Sequence, residues 1–250
     1  MSDHEAHNRA FWDADADDYQ STHGALLEAQ PEAWGVWRIP EAEVGALGDV
    51  DGADVLEYGC GAAQWSLALA RRGARCVGLD QSRAQVRHAV EHRRADQSGS
   101  VVFVLGAGEH VPLADASFDV VFCDHGVMSF CDPAATLPEV ARLLRPGGRF
   151  AFCHSTPWGH VTYDERRDRF TRRLRRPYFG LRTVVWPEGT ADFVLPTGEW
   201  VRAFRAAGLV IDDLVELRAP KRARTTYGWD PAWARQWPGE HLWVLHKPPD

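Results

Sequence analysis

Residues 53–82 read ADVLEYGCGAAQWSLALARRGARCVGLDQS, and this stretch decides the fold class. ADVLEY (53–58) is a short apolar strand, Gly59-Cys60-Gly61 a glycine turn, and QWSLALARRG (64–73) an amphipathic helix that Gly73 stops. ARCVGLD (74–80) is the next strand, and Ser82 caps a helix over 83–96, with Ala84, Val86, Ala89 and Val90 on its apolar side. VVFVLG (101–106) and FDVVFCD (118–124) are nearly continuous apolar runs, as expected of strands covered on both faces. Pro133 opens a helix through Leu144, RPGG (145–148) turns the chain, and RFAFCHS (149–155) is a fifth strand. Strands alternating with helices predict right-handed βαβ units, hence an α/β fold with a doubly wound, mostly parallel sheet.

After Ser155 the rhythm breaks over residues 156–196, a stretch rich in Arg, Trp, Pro and Gly that we read as an insertion over the site. It resumes with a helix at 197–208 and strands at 209–218 and 241–247. The 250 residues, 45% hydrophobic, are therefore read as one domain able to bury its own core. No run reaches the ~18 apolar residues of a membrane helix. The acidic, polar start (MSDHEAHNRAFWDADADDY) is unlike a signal peptide, so the reading is cytoplasmic, with no membrane partner. Five cysteines (Cys60, Cys76, Cys123, Cys131, Cys153) without any CxxC spacing argue against a disulfide framework or a zinc ribbon. A net charge of −7 disfavours general nucleic-acid binding.

In an open α/β sheet the ligand lies at the carboxyl ends of the strands, so the first strand–turn–helix is where chemistry is expected. Gly59, Cys60 and Gly61 let a ligand approach the backbone, and Asp80, nineteen residues beyond Gly61, stands where a carboxylate accepts hydrogen bonds from both ribose hydroxyls. An adenosine-bearing ligand follows. A dinucleotide fingerprint would have a third Gly where this chain has Gln64, and Glu57 would repel a pyrophosphate while holding an ammonium nearby. Charge sign thus favours S-adenosylmethionine over NAD(P).

With those residues in hand, the chain resembles the class I S-adenosylmethionine-dependent methyltransferases. VLEYGCGAA resembles the family's E/D-x-G-x-G-x-G stretch with Ala63 in the last Gly place, and GLDQS, with Asp80 and Gln81, its ribose-binding strand end. FDVVFCD resembles the fourth strand facing the cofactor, and LLRPGGRFAF the turn into the fifth. The resemblance implies a Rossmann-like sheet of seven strands whose last runs antiparallel. It also implies an N-terminal helical cap within residues 1–50, around Phe11 to Leu27, and the product S-adenosylhomocysteine. Tyr19 matches an aromatic that reaches the cofactor carboxylate, or else it packs. Where relatives read G-D-A-E-x-x-P, this chain has Ala107 for the Asp. The backbone at Gly108 is then expected to meet the adenine, with Glu109 substituting for the acid. Asp124 is expected to position the methionine end through its backbone.

Methyl transfer needs alignment and exclusion of water more than acid–base help; a base matters when the acceptor is a neutral hydroxyl or thiol. His125 and His154, at the ends of the fourth and fifth strands, are the candidate bases. His88 and His92 have i,i+4 spacing but no further ligand signature and are read as a solvated helix face, and His4 and His7 as a mobile terminus; no metal is expected. Seven arginines between Arg166 and Arg176 either attract an anionic substrate or form a solvated face, with Phe170 and Leu174 packed inward one helical turn apart. Trp34, Trp37, Trp158, Trp186, Trp229, Trp233 and Trp237 lie outside the regular core and suit an apolar pocket. The expected partner is a small aromatic or apolar methyl acceptor, O-methylated first, N-, S- or C-methylated next, on a monomer or homodimer. An NAD(P)-dependent oxidoreductase and a non-catalytic cofactor-binding regulatory module are the alternatives.

Overall fold

Strand β1 (Asp54–Tyr58) runs through the middle of a seven-stranded sheet, paired in parallel with β2 (Arg75–Asp80) on one side and β4 (Phe118–Asp124) on the other. This computed structural model describes residues 3–96, 101–186 and 189–249. Beyond β2 lies β3 (Val101–Leu105), and beyond β4 lies β5 (Leu144–Ser155). The sheet is completed by β6 (Val210–Leu217) and β7 (Glu240–His246), giving the order β6–β7–β5–β4–β1–β2–β3. As expected, the last strand is antiparallel to both neighbours. The strand order reverses between β1 and β4, which opens a crevice at their carboxyl ends.

Alternation of side chains along the strands divides the core between the two faces. Leu56, Val121, Phe150 and Phe152 pack against helix α5 (Pro133–Leu143) and helix α6 (Thr197–Ala206), whose Trp200 and Phe204 are fully buried. Val55, Val120, Phe122 and Ala151 face the other way, onto α2 (Gln64–Arg71) and Trp34. Helix α3 (Arg83–Asp96) covers β2 and β3, and the short α4 (Gly126–Phe130) follows β4. The five cysteines are all buried and reduced.

An N-terminal helix, α1 (Asp3–Ala29), lies across the crevice, and three side chains pin it. Asn8 donates to the carbonyls of Phe130 (2.7 Å) and Ala191 (3.0 Å) and accepts from the Ala191 N–H (2.8 Å). Ser82 donates to Asp13 (2.9 Å), and Gln20 bridges Gln64 and Gln85. This contact corrects the reading of His88 and His92 as a solvated face: they meet Asp17 (2.7 Å) and Glu28 (3.5 Å) of α1. His4 is likewise held, 2.9 Å from Glu109. No described helix is long and apolar enough to cross a membrane.

The expected insertion folds differently from its reading. The Arg-rich segment is no helix; Tyr163–Asp164 and Arg169–Phe170 form a small antiparallel ladder. Phe170 stacks on Trp229 (4.4 Å), whereas Leu174 is exposed. Three of the arginines are neutralised locally, Arg167 and Arg175 by Asp164 and Arg176 by Glu165. A second ladder pairs Thr183–Val185 with Ala191–Phe193, and residues 187 and 188 of the insertion lie outside the described residues. RPGG enters β5 as an irregular lead-in, with a register shift against β4, because the Gly147 N–H is taken by the Lys247 carbonyl (2.8 Å).

Candidate functional site: a polar crevice with an aromatic wall

The turn after β1 is held by its neighbours. The N–H groups of Gly59 and Cys60 both donate to the Leu79 carbonyl (2.8 and 2.9 Å). Gly59 has φ +91°, and a Cβ there would stand 2.6 Å from the Val127 nitrogen, so only glycine lets the turn sit against α4. The Gly61 N–H donates to Asp80 Oδ2 and the Ser82 N–H to Asp80 Oδ1, each at 2.8 Å. Burial nevertheless raises the Asp80 pKa. The carboxylate is thus aimed by backbone donors, with a lone pair left on each oxygen for further donors.

Glu57 differs from its reading as a standing negative charge. Its carboxyl is buried and accepts the Ser66 N–H (2.9 Å) and hydroxyl (2.5 Å). Burial pushes its pKa up to about 8 against those bonds, and Asp124 and Asp80 add to the rise. The group therefore holds a proton near neutrality, and a cation placed beside it would draw out its charge.

Asp124 uses its side chain as well as its backbone. Its carboxylate accepts the Gly35 N–H (2.9 Å) and faces the guanidinium of Arg38 at 3.4 Å. Arg38 is only 5% exposed, has φ +50°, also donates to the Gln30 carbonyl, and leaves its Nε without a partner. The sequence reading missed this residue. Its signal was a single charge inside the apolar run WGVWRIP (34–40).

A cavity of about 320 Å³ occupies the crevice, and its wall includes Tyr19, Glu57, Gly59, Cys60, Gly61, Asp80, Gln81, Gly108, Asp124, His125 and His154, together with Arg38. Trp12, Trp65, Phe130, Phe193, Tyr227 and Trp229 supply its aromatic part. Of the seven tryptophans singled out in the sequence, only Trp229 lines it; Trp34, Trp37 and Trp233 are buried in packing clusters. Glu109 is absent from the wall. Its Oε1 meets the Asp132 N–H (2.7 Å) and His4 instead, which turns it away from the expected role of adenine-binding acid. The Tyr19 hydroxyl shares a hydrogen bond with that of Tyr227 (2.9 Å).

The two histidines have unlike surroundings. His154 Nε2 accepts the Trp243 indole N–H (3.3 Å), and burial drives its pKa well below 6.5. The lone pair a base needs there is already taken, which corrects its reading as a base. His125, at φ +64° just before α4, sets Nε2 2.6 Å from Glu240 Oε1. Burial pulls its pKa down, but the hydrogen bond and charge of Glu240, with Asp124 and Asp192, outweigh that and raise it.

Several buried polar atoms on this wall have no partner among the described residues, Trp12 Nε1, Arg38 Nε, Gln81 Oε1 and Ser129 Oγ among them. Buried polar groups in native proteins are nearly always paired, so these are open to a ligand in the crevice. A cation for a carboxylate, acids for an ammonium, an aimed carboxylate for a diol and amide and hydroxyl groups for a heterocycle fit S-adenosylmethionine. An ammonium beside Glu57 would draw out its charge, which a diphosphate would not.

Residues 56–152 match the family described as a methyltransferase domain. Over 149 residues the chain is 35% identical to a demethylmenaquinone methyltransferase of Mycobacterium sp. (strain JLS), covering 59% of this chain and 60% of that one. It thus spans less than two thirds of the length of the curated relatives it matches. An S-adenosylmethionine-dependent methyltransferase from Mesorhizobium loti superposes with a TM-score of 0.67 at 21% identity, over 82% of this chain and 95% of that one. A Burkholderia thailandensis 1,6-didemethyltoxoflavin-N1-methyltransferase, bound to 1,6-didemethyltoxoflavin and S-adenosylhomocysteine, superposes at 0.63 with 18% identity, over 99% and 91%. At these identities the structural likeness is one of fold.

Proposed function

We propose that this chain is a class I S-adenosylmethionine-dependent methyltransferase, whose domain model residues 56–152 match, and that it transfers a methyl group to a hydroxyl oxygen of a small, planar, largely apolar acceptor. The observation that carries this reading is that one cavity is lined both by Glu57, Asp80, Asp124 and Arg38 and by the aromatic side chains of Trp12, Phe193 and Trp229. A small-molecule acceptor agrees with the relative named for demethylmenaquinone and the neighbour bound to 1,6-didemethyltoxoflavin.

S-adenosylmethionine supplies an electrophilic methyl on a sulfonium sulfur. Arg38 holds its carboxylate, Glu57 and Asp124 face its ammonium, Asp80 accepts from its ribose, and Gln81, Ser129 and the Gly108 backbone meet its adenine. The aromatic side chains of the wall align the acceptor ring and exclude water, and alignment alone is worth an effective molarity of ~10⁵–10⁸ M. His125 accepts the hydroxyl proton, so that oxygen attacks as it becomes anionic.

Calorimetry with S-adenosylhomocysteine and NADH, followed by a methyl-transfer assay over phenols, hydroxyquinones, amines and thiols, tests this reading. Binding of S-adenosylhomocysteine alone, with transfer to hydroxyl acceptors lost in His125→Asn at unchanged cofactor affinity, is the expected result. Tight NADH binding would replace it with an oxidoreductase, and binding without any methylated product would leave a regulatory module.

A further inference from the structure

The first residue of β7 contributes a group that the family's cofactor chemistry does not require. Glu240 is fully buried, opposite Ser155 in the ladder with β5. Its Oε1 accepts the Val36 N–H (2.8 Å) and lies 2.6 Å from His125 Nε2, while its Oε2 has no partner. Gly35 closes the space above it, where a Cβ would stand 2.5 Å from Oε1. A buried carboxylate needs hydrogen-bond donors or a cation beside it, and this one has the Val36 N–H and the His125 ring.

We infer that Glu240 is a positioning residue for methyl transfer, holding the proton of His125 on Nε2 and leaving Nδ1 as the atom that accepts the acceptor's hydroxyl proton. This rests on the reading of His125 as the base. Nδ1 takes part in no hydrogen bond among the described residues. When Nδ1 gains the proton, the ring becomes an imidazolium beside a carboxylate already aimed at it, as in other carboxylate–histidine pairs. The charged or titratable groups around the ring are Glu240 from β7, Asp124 from β4, Cys153 and His154 from β5, Asp192 from the insertion and Arg38 from the segment before β1. Asp124 is engaged by Arg38 and the Gly35 N–H, which leaves Glu240 as the ring's direct partner.

The test titrates the ¹⁵N-labelled His125 ring by NMR in the full chain and in Glu240→Gln. It also measures the pH profile of kcat/KM with a hydroxyl acceptor, and S-adenosylhomocysteine affinity. Expected are a neutral ring protonated at Nε2, an acid limb at least one pH unit lower in Glu240→Gln, and a kcat at least tenfold lower with Kd within twofold. Glu240→Asp should recover part of the rate. A neutral wild-type ring protonated at Nδ1, or an acid limb that does not move, overturns the proposal and leaves the base reading standing. Full transfer by His125→Asn removes the base reading, and this proposal with it. Should Glu240→Gln fold poorly, the wild-type ring tautomer and the Glu240→Asp profile decide alone.

Discussion

Ser66 gives both its backbone N–H and its hydroxyl to the same carboxylate oxygen of Glu57, nine residues earlier, and so closes the first turn of α2 onto the end of β1. Those two bonds favour the charged form, yet burial prevails and carries the pKa to about 8. In the free protein at pH 7 the group is mostly protonated. An ammonium bound beside it favours the anion, so binding S-adenosylhomocysteine at pH 7 should release a proton, and affinity should rise as pH approaches 8. Calorimetry in two buffers of different ionisation enthalpy reads the release directly; Glu57→Gln should abolish that contribution. The same shift acts on stability. The folded pKa lies above the ordinary carboxylate value, so this group's contribution is greatest below about pH 4.5 and is lost as pH rises through about 8.

Asp80 receives backbone N–H groups from Gly61 and Ser82, and the proposed function gives its outer lone pairs to the ribose. Asp80→Ala should weaken S-adenosylhomocysteine binding by about 1–3 kcal/mol, through lost charge-assisted hydrogen bonds. Unchanged affinity in calorimetry would place the ribose elsewhere.

In the proposed reading Arg38 holds the carboxylate of the ligand's amino-acid end. Arg38→Gln should lose roughly 1.5–3 kcal/mol of affinity for S-adenosylhomocysteine. It should lose little for 5′-methylthioadenosine, which has no carboxylate. Equal losses for both ligands would mean that the variant disturbs the crevice through Asp124 instead.

Two substitutions test the frame. Trp200, fully buried against Phe152 and Phe204, should cost about 3–5 kcal/mol of stability when cut to alanine, read as a lower midpoint in urea. Gly59→Ala forces a Cβ onto the Val127 nitrogen from a left-handed backbone, so it should abolish cofactor binding even where the circular dichroism of the sheet survives.

The fold was legible because its information is local. VLEY, CVGL and VVFC bury both faces and read as strands without any knowledge of their neighbours, and Gly73 and Pro133 punctuate the helices between them. That the first turn, Asp80 and Asp124 line the crevice was legible for the same reason, since strand ends locate it. Arg38 and Glu240 were not, because their roles arise from contacts 86 and 115 residues away in sequence, to Asp124 and His125. Periodicity also misjudged the arginine run. Phe170 and Leu174 have helical spacing, but Phe170 is drawn onto Trp229, which comes from a distant loop, and the segment folds back as a ladder. His154 failed as a base for a similar reason, its lone pair being claimed by Trp243 from the neighbouring strand.

The five reduced thiols carry a practical consequence. Burial raises the pKa of every one, so in the native state each is both shielded and protonated, the least nucleophilic condition a cysteine can have. Alkylation by a maleimide therefore counts excursions out of the folded state, with no probe to be engineered. Cys60, in the turn that lines the crevice, should be the thiol whose labelling slows most when a ligand is added, making the chain its own reporter of occupancy.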